Sequence, residues 1–335
     1  MAGFRALLRN TPAGLYCPPG DFYIDPVRPV ARAVITHGHA DHARSGHGAV
    51  LATPQTLAIM TARYGADFAA AAEPAPYGQA VSRDGVTVTL APAGHVLGSA
   101  QAVLEWKGVT AVVSGDYKRR PDPTCRPFEP VRCQLFVTEA TFGLPVFRFP
   151  DASDEVARLM KSVALFPERT HLVGAYALGK AQRIIALLRA AGYERTIYAH
   201  GALAGINALY QAQGVALGDI APATGPDRAS LAGEIVIAPP SAIADKWSRR
   251  FADPIPAFAS GWMRVRARAR QRHVELPLVI SDHADWDELT GTLTELTPEE
   301  VWITHGAEDA LLRWSALQGI QARALEIAGY ADEDD

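Results

Sequence analysis

His37-Gly38-His39-Ala40-Asp41-His42 sets three imidazoles and one carboxylate side by side, directly after the apolar run Ala33-Val34-Ile35. The apolar run reads as a buried strand, and the end of a strand is where polar side chains can converge. Along an extended chain His37 and His39 point to the same side, so both can hold one ion. Asp41 and His42 lie beyond the strand end and can hold a second ion beside it. Neutral imidazole suits zinc, and a carboxylate lets a neighbouring ion keep a position for water. The spacing is not that of the helical zincins, where two His at i and i+4 share a helix face and flank a Glu.

Two ions need more ligands, and the chain offers them at the ends of further apolar β runs. His95, in Ala93-Gly94-His95-Val96-Leu97-Gly98-Ser99, follows Val86-Thr87-Val88-Thr89-Leu90. Asp116, in Ser114-Gly115-Asp116-Tyr117, follows Val109-Thr110-Ala111-Val112-Val113, and its carboxylate could bridge the two ions. The flanking glycines allow the tight backbone that turns a side chain inward. His305 ends Glu300-Val301-Trp302-Ile303-Thr304, and His283 follows Leu278-Val279-Ile280-Ser281-Asp282. From the residues alone, the roles of His283 and His305 could be exchanged. His47, His171, His200 and His273 read as ordinary polar side chains.

These residues and their order resemble the metallo-β-lactamase fold, an α/β architecture in which an αββα sandwich carries a two-zinc site at one edge. Thr138-Glu139-Ala140-Thr141-Phe142-Gly143, Ser281-Asp282-His283-Ala284-Asp285 and Thr304-His305-Gly306 resemble motifs A, B and C of its nucleic-acid-processing branch, the β-CASP nucleases. Within that branch the chain looks most like the bacterial ligase-associated DNA damage response exonucleases, relatives of the Artemis-type cross-link-repair nucleases. Val173-Gly174-Ala175-Tyr176-Ala177-Leu178-Gly179-Lys180 and Ser260-Gly261-Trp262-Met263 incline the reading that way.

The resemblance implies two zinc ions, with manganese as a substitute, held by His37, His39, Asp41, His42, His95, Asp116 and His305. It implies that Asp25, in Tyr23-Ile24-Asp25-Pro26, orients a ligand rather than binding metal. It makes His283 the general acid, with Glu139 orienting it and keeping it protonated, and counts Asp41 among the catalytic residues as well as the ligands. The implied partner is DNA, single-stranded or with free ends, in functional association with a DNA ligase and a helicase. One residue departs from the pattern. The repair relatives carry Val at motif C, whereas His is typical of RNA processors such as RNase J, so an RNA-processing ribonuclease is the alternative. A catalytically inactive scaffold paralogue would have lost ligands, and every expected ligand is present here.

Charge arithmetic fits a phosphodiester substrate. Paired zinc ions draw the pKa of a shared water towards about 7, supplying hydroxide as the nucleophile at neutral pH. Two divalent cations less two carboxylates and one hydroxide leave about one net positive charge, which favours a phosphodiester over an amide.

The 335 residues can hold two domains. Residues 1–149 and 272–335 are expected to form the metallo-β-lactamase domain, and 150–271, where strands alternate with helices, an inserted β-CASP cap. A helix is expected after Thr53, which can cap it, with Pro54 in its first turn. A net charge of −4 does not describe a protein that coats nucleic acid, so a polyanion must meet a local basic surface. Lys180 after Gly179, at a helix N-terminus, can attract phosphate. Arg264, Arg266, Arg268, Arg270 and Arg272 would all face one side of an extended segment, a phosphate track beside Trp262, which could stack on a base. No apolar run approaches the roughly 20 residues of a membrane span, and a cytoplasmic location is expected. Cys17, Cys125 and Cys133 are odd in number and lack C-x-x-C spacing, which disfavours a disulfide framework and a cysteine zinc site. The acidic end, Ala331 to Asp335, reads as a disordered tail.

Overall fold

The computed structural model describes residues 4–224, 231–251 and 253–325, except for the side chain of His305. The acidic end lies outside the described residues. The chain divides into two compact units, Met1–Arg148 with His283–Asp335, and Phe149–Asp282.

The first unit contains two sheets. One runs in chain order from β1 (Arg9–Thr11) through β2 (Gly14–Cys17), β3 (Phe22–Ile24), β4 (Arg32–Val34) and β5 (His47–Ala52) to β6 (Ala69–Pro74). The other joins β7 (Val81–Arg83), β8 (Val86–Pro92), β9 (Ala100–Trp106), β10 (Val109–Val113) and β11 (Leu135–Ala140) to the late strands β18 (Glu300–Gly306) and β19 (Gln321–Ala324). Its spatial order is β19-β18-β11-β10-β9-β8-β7, parallel from β19 to β10 and antiparallel beyond.

Alternation along the strands decides which face each residue takes. Val86, Val88 and Leu90 of β8 join Leu15, Phe22 and Val34 in the seam between the sheets. Each fully buried aliphatic or aromatic side chain there contributes about 1.5–3 kcal/mol, enough in sum to lock one sheet against the other. The opposite parity faces outward to helices. Ala33, Ile35 and Val50 pack on Leu57 and Met60 of the Pro54–Tyr64 helix. That helix starts as expected, with Thr53 Oγ1 accepting the Thr56 amide at 3.1 Å. On the other sheet Val112, Phe136 and Ile303 pack on Leu289 and Leu293 of the Trp286–Leu296 helix and Leu311 of the Glu308–Leu317 helix. Helix, sheet, sheet, helix is the metallo-β-lactamase sandwich.

The second unit is a parallel sheet of β12 (His171–Gly174), β13 (Ile197–Ala199), β14 (Ile220–Pro222), β15 (Ile235–Ala238), β16 (Ile255–Ala259) and β17 (Leu276–Leu278), in the order β14-β13-β15-β12-β16-β17. Helices Ala152–Leu165, Lys180–Ala190 and Ala204–Ala212 alternate with the strands, as parallel connections require. β17 pairs with β16, which keeps the chain in this unit up to Asp282, eleven residues beyond the sequence boundary at 271. No helix among the described residues is long and apolar enough to cross a membrane. None of Cys17, Cys125 and Cys133 forms a disulfide.

Candidate metal centre

The histidine motif leaves the strand before its ligands begin. β4 ends at Val34, and the Ala43 amide donates to His39 O at 2.7 Å, which closes a tight turn over His39 to Ala43. A turn, and not strand alternation, therefore brings the side chains together. Its entry is fixed by Asp25, whose carboxylate accepts the Thr36 amide at 2.8 Å and the Thr36 hydroxyl at 2.6 Å. Gly115 admits this arrangement: it has φ +55°, and a Cβ there would lie 2.6 Å from Thr36 Oγ1.

His37 Nε2 and His95 Nε2 lie 3.2 Å and 3.0 Å from His39 Nδ1. Asp116 Oδ2 lies 3.4 Å from His37 Nε2 and 3.8 Å from His95 Nε2. Ligands about 2.0–2.1 Å from a tetrahedral zinc stand about 3.3–3.4 Å apart, so this buried donor set fits one cation. A second group shares the same oxygen. His42 Nε2 is 3.4 Å from Asp116 Oδ2 and 3.5 Å from Asp41 Oδ2. His42 is oriented from behind, its Nδ1 donating to Asp25 Oδ2 at 2.8 Å.

Burial, and then the charge of His42, holds His37 well below the ordinary imidazole range, in the neutral form that binds metal. For His42 burial opposes the charge, yet Asp116, Asp41 and Asp25 together hold it well above that range. Asp116 is buried too, and His42 and His283 hold it well below the carboxylate range. The buried carboxylates thus call for positive charge, which a divalent cation would supply more strongly than an imidazolium.

Beside these ligands, His283 Nδ1 lies 3.0 Å from Glu139 Oε2 and 4.0 Å from Asp116 Oδ2. Glu139 sits on β11, and burial pushes its carboxyl above the usual range against the pull of His283. Its other oxygen accepts the Tyr117 amide at 2.7 Å. His305 lies in β18, and its side chain is outside the described residues.

The expected substrate-binding residues are placed otherwise than their pattern implied. Gly179 takes φ +85° at the start of the Lys180–Ala190 helix, but Lys180 does not stand open there. It is 3% exposed and ion-paired with Asp282, while Arg183 Nη1 donates to Ser281 O at 2.6 Å. The arginine run is not extended: Gly261–Arg264 is a 3-10 turn and Arg266–Gln271 an α-helix. On a helix Arg266 and Arg270 share one face, while Arg268 points about 160° away, so the five cannot form a single row. The Arg268 guanidinium instead lies 3.8 Å from the Trp262 ring centroid, and that of Arg272 lies 5.1 Å from Phe258. Among the histidines set aside, His47 Nδ1 accepts the Val30 amide, His171 pairs with Ser162, and His200 caps a 3-10 turn.

Sequence reasoning missed Lys118 and Glu288, both buried beside the centre. Their signal is Asp285-Trp286-Asp287-Glu288, a capping box in which Asp285 accepts the Glu288 amide and Glu288 accepts the Asp285 amide, each at 3.0 Å.

Among known proteins, a probable DNA ligase of Opitutus terrae is 28% identical over 321 residues, 93% of this chain and 30% of its own length. The cleavage and polyadenylation specificity factor subunit 3 of Dictyostelium discoideum is 35% identical over 116 residues, 33% of this chain and 15% of its length. The endoribonuclease YSH1 of Saccharomyces cerevisiae is 32% identical over 120 residues, 35% of this chain and 15% of its length. The chain therefore spans less than a third of the length of these relatives. A solved protein of unknown function from Enterococcus faecalis superposes with a TM-score of 0.57 at 13% identity, over 89% of this chain and 80% of that one, a likeness of fold. No family model matches the chain.

Proposed function

We propose that this protein is a metal-dependent phosphodiesterase of the β-CASP nuclease type, a zinc-dependent DNA exonuclease of DNA repair acting in the cytoplasm. The observation that carries the reading is one oxygen, Asp116 Oδ2, standing 3.4 Å from both His37 Nε2 and His42 Nε2. It supports a two-cation centre in which His37, His39 and His95 serve one ion, Asp41 and His42 the other, with Asp116 between them. The resemblance to the β-CASP nucleases assigns His305 to the second ion. When bound, the paired cations would acidify a water and offset the charge of a phosphodiester.

The chain's own groups do the rest. With Nδ1 turned to Glu139, His283 presents Nε2, which gives a proton to the departing sugar oxygen. The contact with Glu139 fixes the plane of the ring. Arg266 and Arg270 on one side of their helix, with Arg268 and Arg272 on the other, offer two positions for backbone phosphates.

DNA is favoured by the length of the match. The relative described as a probable DNA ligase aligns over 93% of this chain, which also supports a functional association with a ligase. RNA processing is the second reading, favoured by the higher local identity to the polyadenylation factor and by His305. Digestion of 5′- and 3′-labelled DNA and RNA oligonucleotides of one sequence, with zinc or manganese supplied, tests both. Cleavage of DNA from its ends is expected. Cleavage of RNA alone would select the second reading, and cleavage of neither in either metal would end both.

A further inference from the structure

Asp116 and His283 are joined by buried contacts that use none of the proposed metal ligand atoms. Lys118, 3% exposed, donates from Nζ to the His283 carbonyl oxygen at 3.2 Å and to Glu288 Oε2 at 3.0 Å. Glu288, 7% exposed, accepts the amides of Arg119 at 2.9 Å and Arg120 at 2.7 Å on Oε1. One residue nearer the centre, the Ala284 amide donates to Tyr117 O at 2.6 Å. The peptide that joins His283 to Ala284 is therefore held at its carbonyl by Lys118 and at its amide by Tyr117, and the His283 ring is held by Glu139, all within three residues of Asp116 or hydrogen-bonded to them.

Cohesion alone does not explain a charged pair here. Stripping water from two ions is costly, and apolar side chains of similar volume hold a core as well or better. Fixed hydrogen bonds give direction, and misplacing a reacting group by about 1 Å can cost about a hundredfold in rate. We propose that Lys118, held by Glu288, is a positioning residue for His283, setting the imidazole relative to Asp116. The proposal deepens the reading given above and rests on His283 acting as the acid.

The test uses the full chain with its metal and two substrates, a DNA dinucleotide and bis(p-nitrophenyl) phosphate, whose leaving group needs no proton. Lys118→Met with Glu288→Gln removes both charges together, so no buried ion is left uncompensated. This double variant should keep the wild-type metal content and circular dichroism. It should lose roughly 10- to 100-fold in kcat on DNA with KM almost unchanged, and less than about threefold on the aryl ester. In protein labelled with 15N-histidine, the His283 Nδ1 proton, slowed in exchange by Glu139, should exchange faster in the double variant. Equal losses on both substrates, or no loss, with unchanged exchange would overturn the proposal. His283→Ala is the separate control. If it slows both esters equally, the acid role falls, and the exchange rate alone then decides whether Lys118 positions the ring. Should the double variant fail to fold, Lys118→Arg, which keeps the charge but not the reach, carries the same comparison.

Discussion

Asp25 Oδ2 accepts the Nδ1 proton of His42 at 2.8 Å, and the same oxygen takes the Thr36 hydroxyl at 2.6 Å. One carboxylate that points at no proposed ion therefore sets both the entry to the turn and the ring that faces Asp41 and Asp116. The backbone at Asp25 has φ +44°, a region that Asn also tolerates. Asp25→Asn should fold normally and lose about 10- to 100-fold in affinity for the second ion, as such supporting partners usually do. Competition with a chromogenic chelator measures it, and wild-type affinity would mean that His42 is not a ligand.

Ligand and acid separate in a second pair of variants. Asp116→Ala should lower occupancy of both ions, because the shared oxygen disappears. His283→Ala should keep the metal and slow the chemical step by roughly 10² to 10⁴. Elemental analysis with single-turnover rates checks both, and metal loss in His283→Ala alone would move that histidine into the ligand set.

The arginine helix makes a third prediction. Arg266→Ala with Arg270→Ala should weaken single-strand binding and flatten its salt dependence by about 0.7 for each phosphate no longer neutralised, leaving the melting temperature unchanged. Arg268→Ala with Arg272→Ala should also lower the melting temperature, because each guanidinium covers a ring, an interaction of about 0.5–1 kcal/mol at an exposed site. A salt slope untouched in both pairs would mark the helix as ordinary solvated surface.

Acid stability follows from Glu288. Burial disfavours its charge, but Lys118 and the surrounding amides hold its pKa below the ordinary value of 4.5. A depressed carboxyl stabilises the fold above its unfolded pKa and loses that contribution as pH falls through the folded value. Wild type should therefore lose stability on acidification below about pH 4.5 more steeply than Glu288→Gln, which has no such proton to take up. Parallel pH–melting curves for the two would refute this.

Much of the centre was legible because metal binding needs particular atoms. His, Asp and strand ends announce themselves in one dimension, and the structure brings His37, His39, Asp41, His42, His95 and Asp116 to one place. The arginine run misleads because its period of two matches a strand, while Arg and Ala are both strong helix formers and Ala269 buries itself on a helical face. Lys180 follows a glycine turn as expected, but its partner, Asp282, is remote in sequence, and nothing local reveals a buried ion pair. Lys118 and Glu288 are hidden for the same reason, although the capping box at Asp285 is in view.

The donors for the candidate centre come from both faces of the seam: His37 to His42 follow β4 in one sheet, while His95 and Asp116 follow β8 and β10 in the other. An ion held by both is a rivet through the sandwich. The two sheets could then part only after the ion let go, so the lifetime of the folded chain would track the free metal concentration around it. Chelation would be felt as faster unfolding and greater susceptibility to proteolysis, and metal scarcity would govern how much of the protein persists as well as how fast it works.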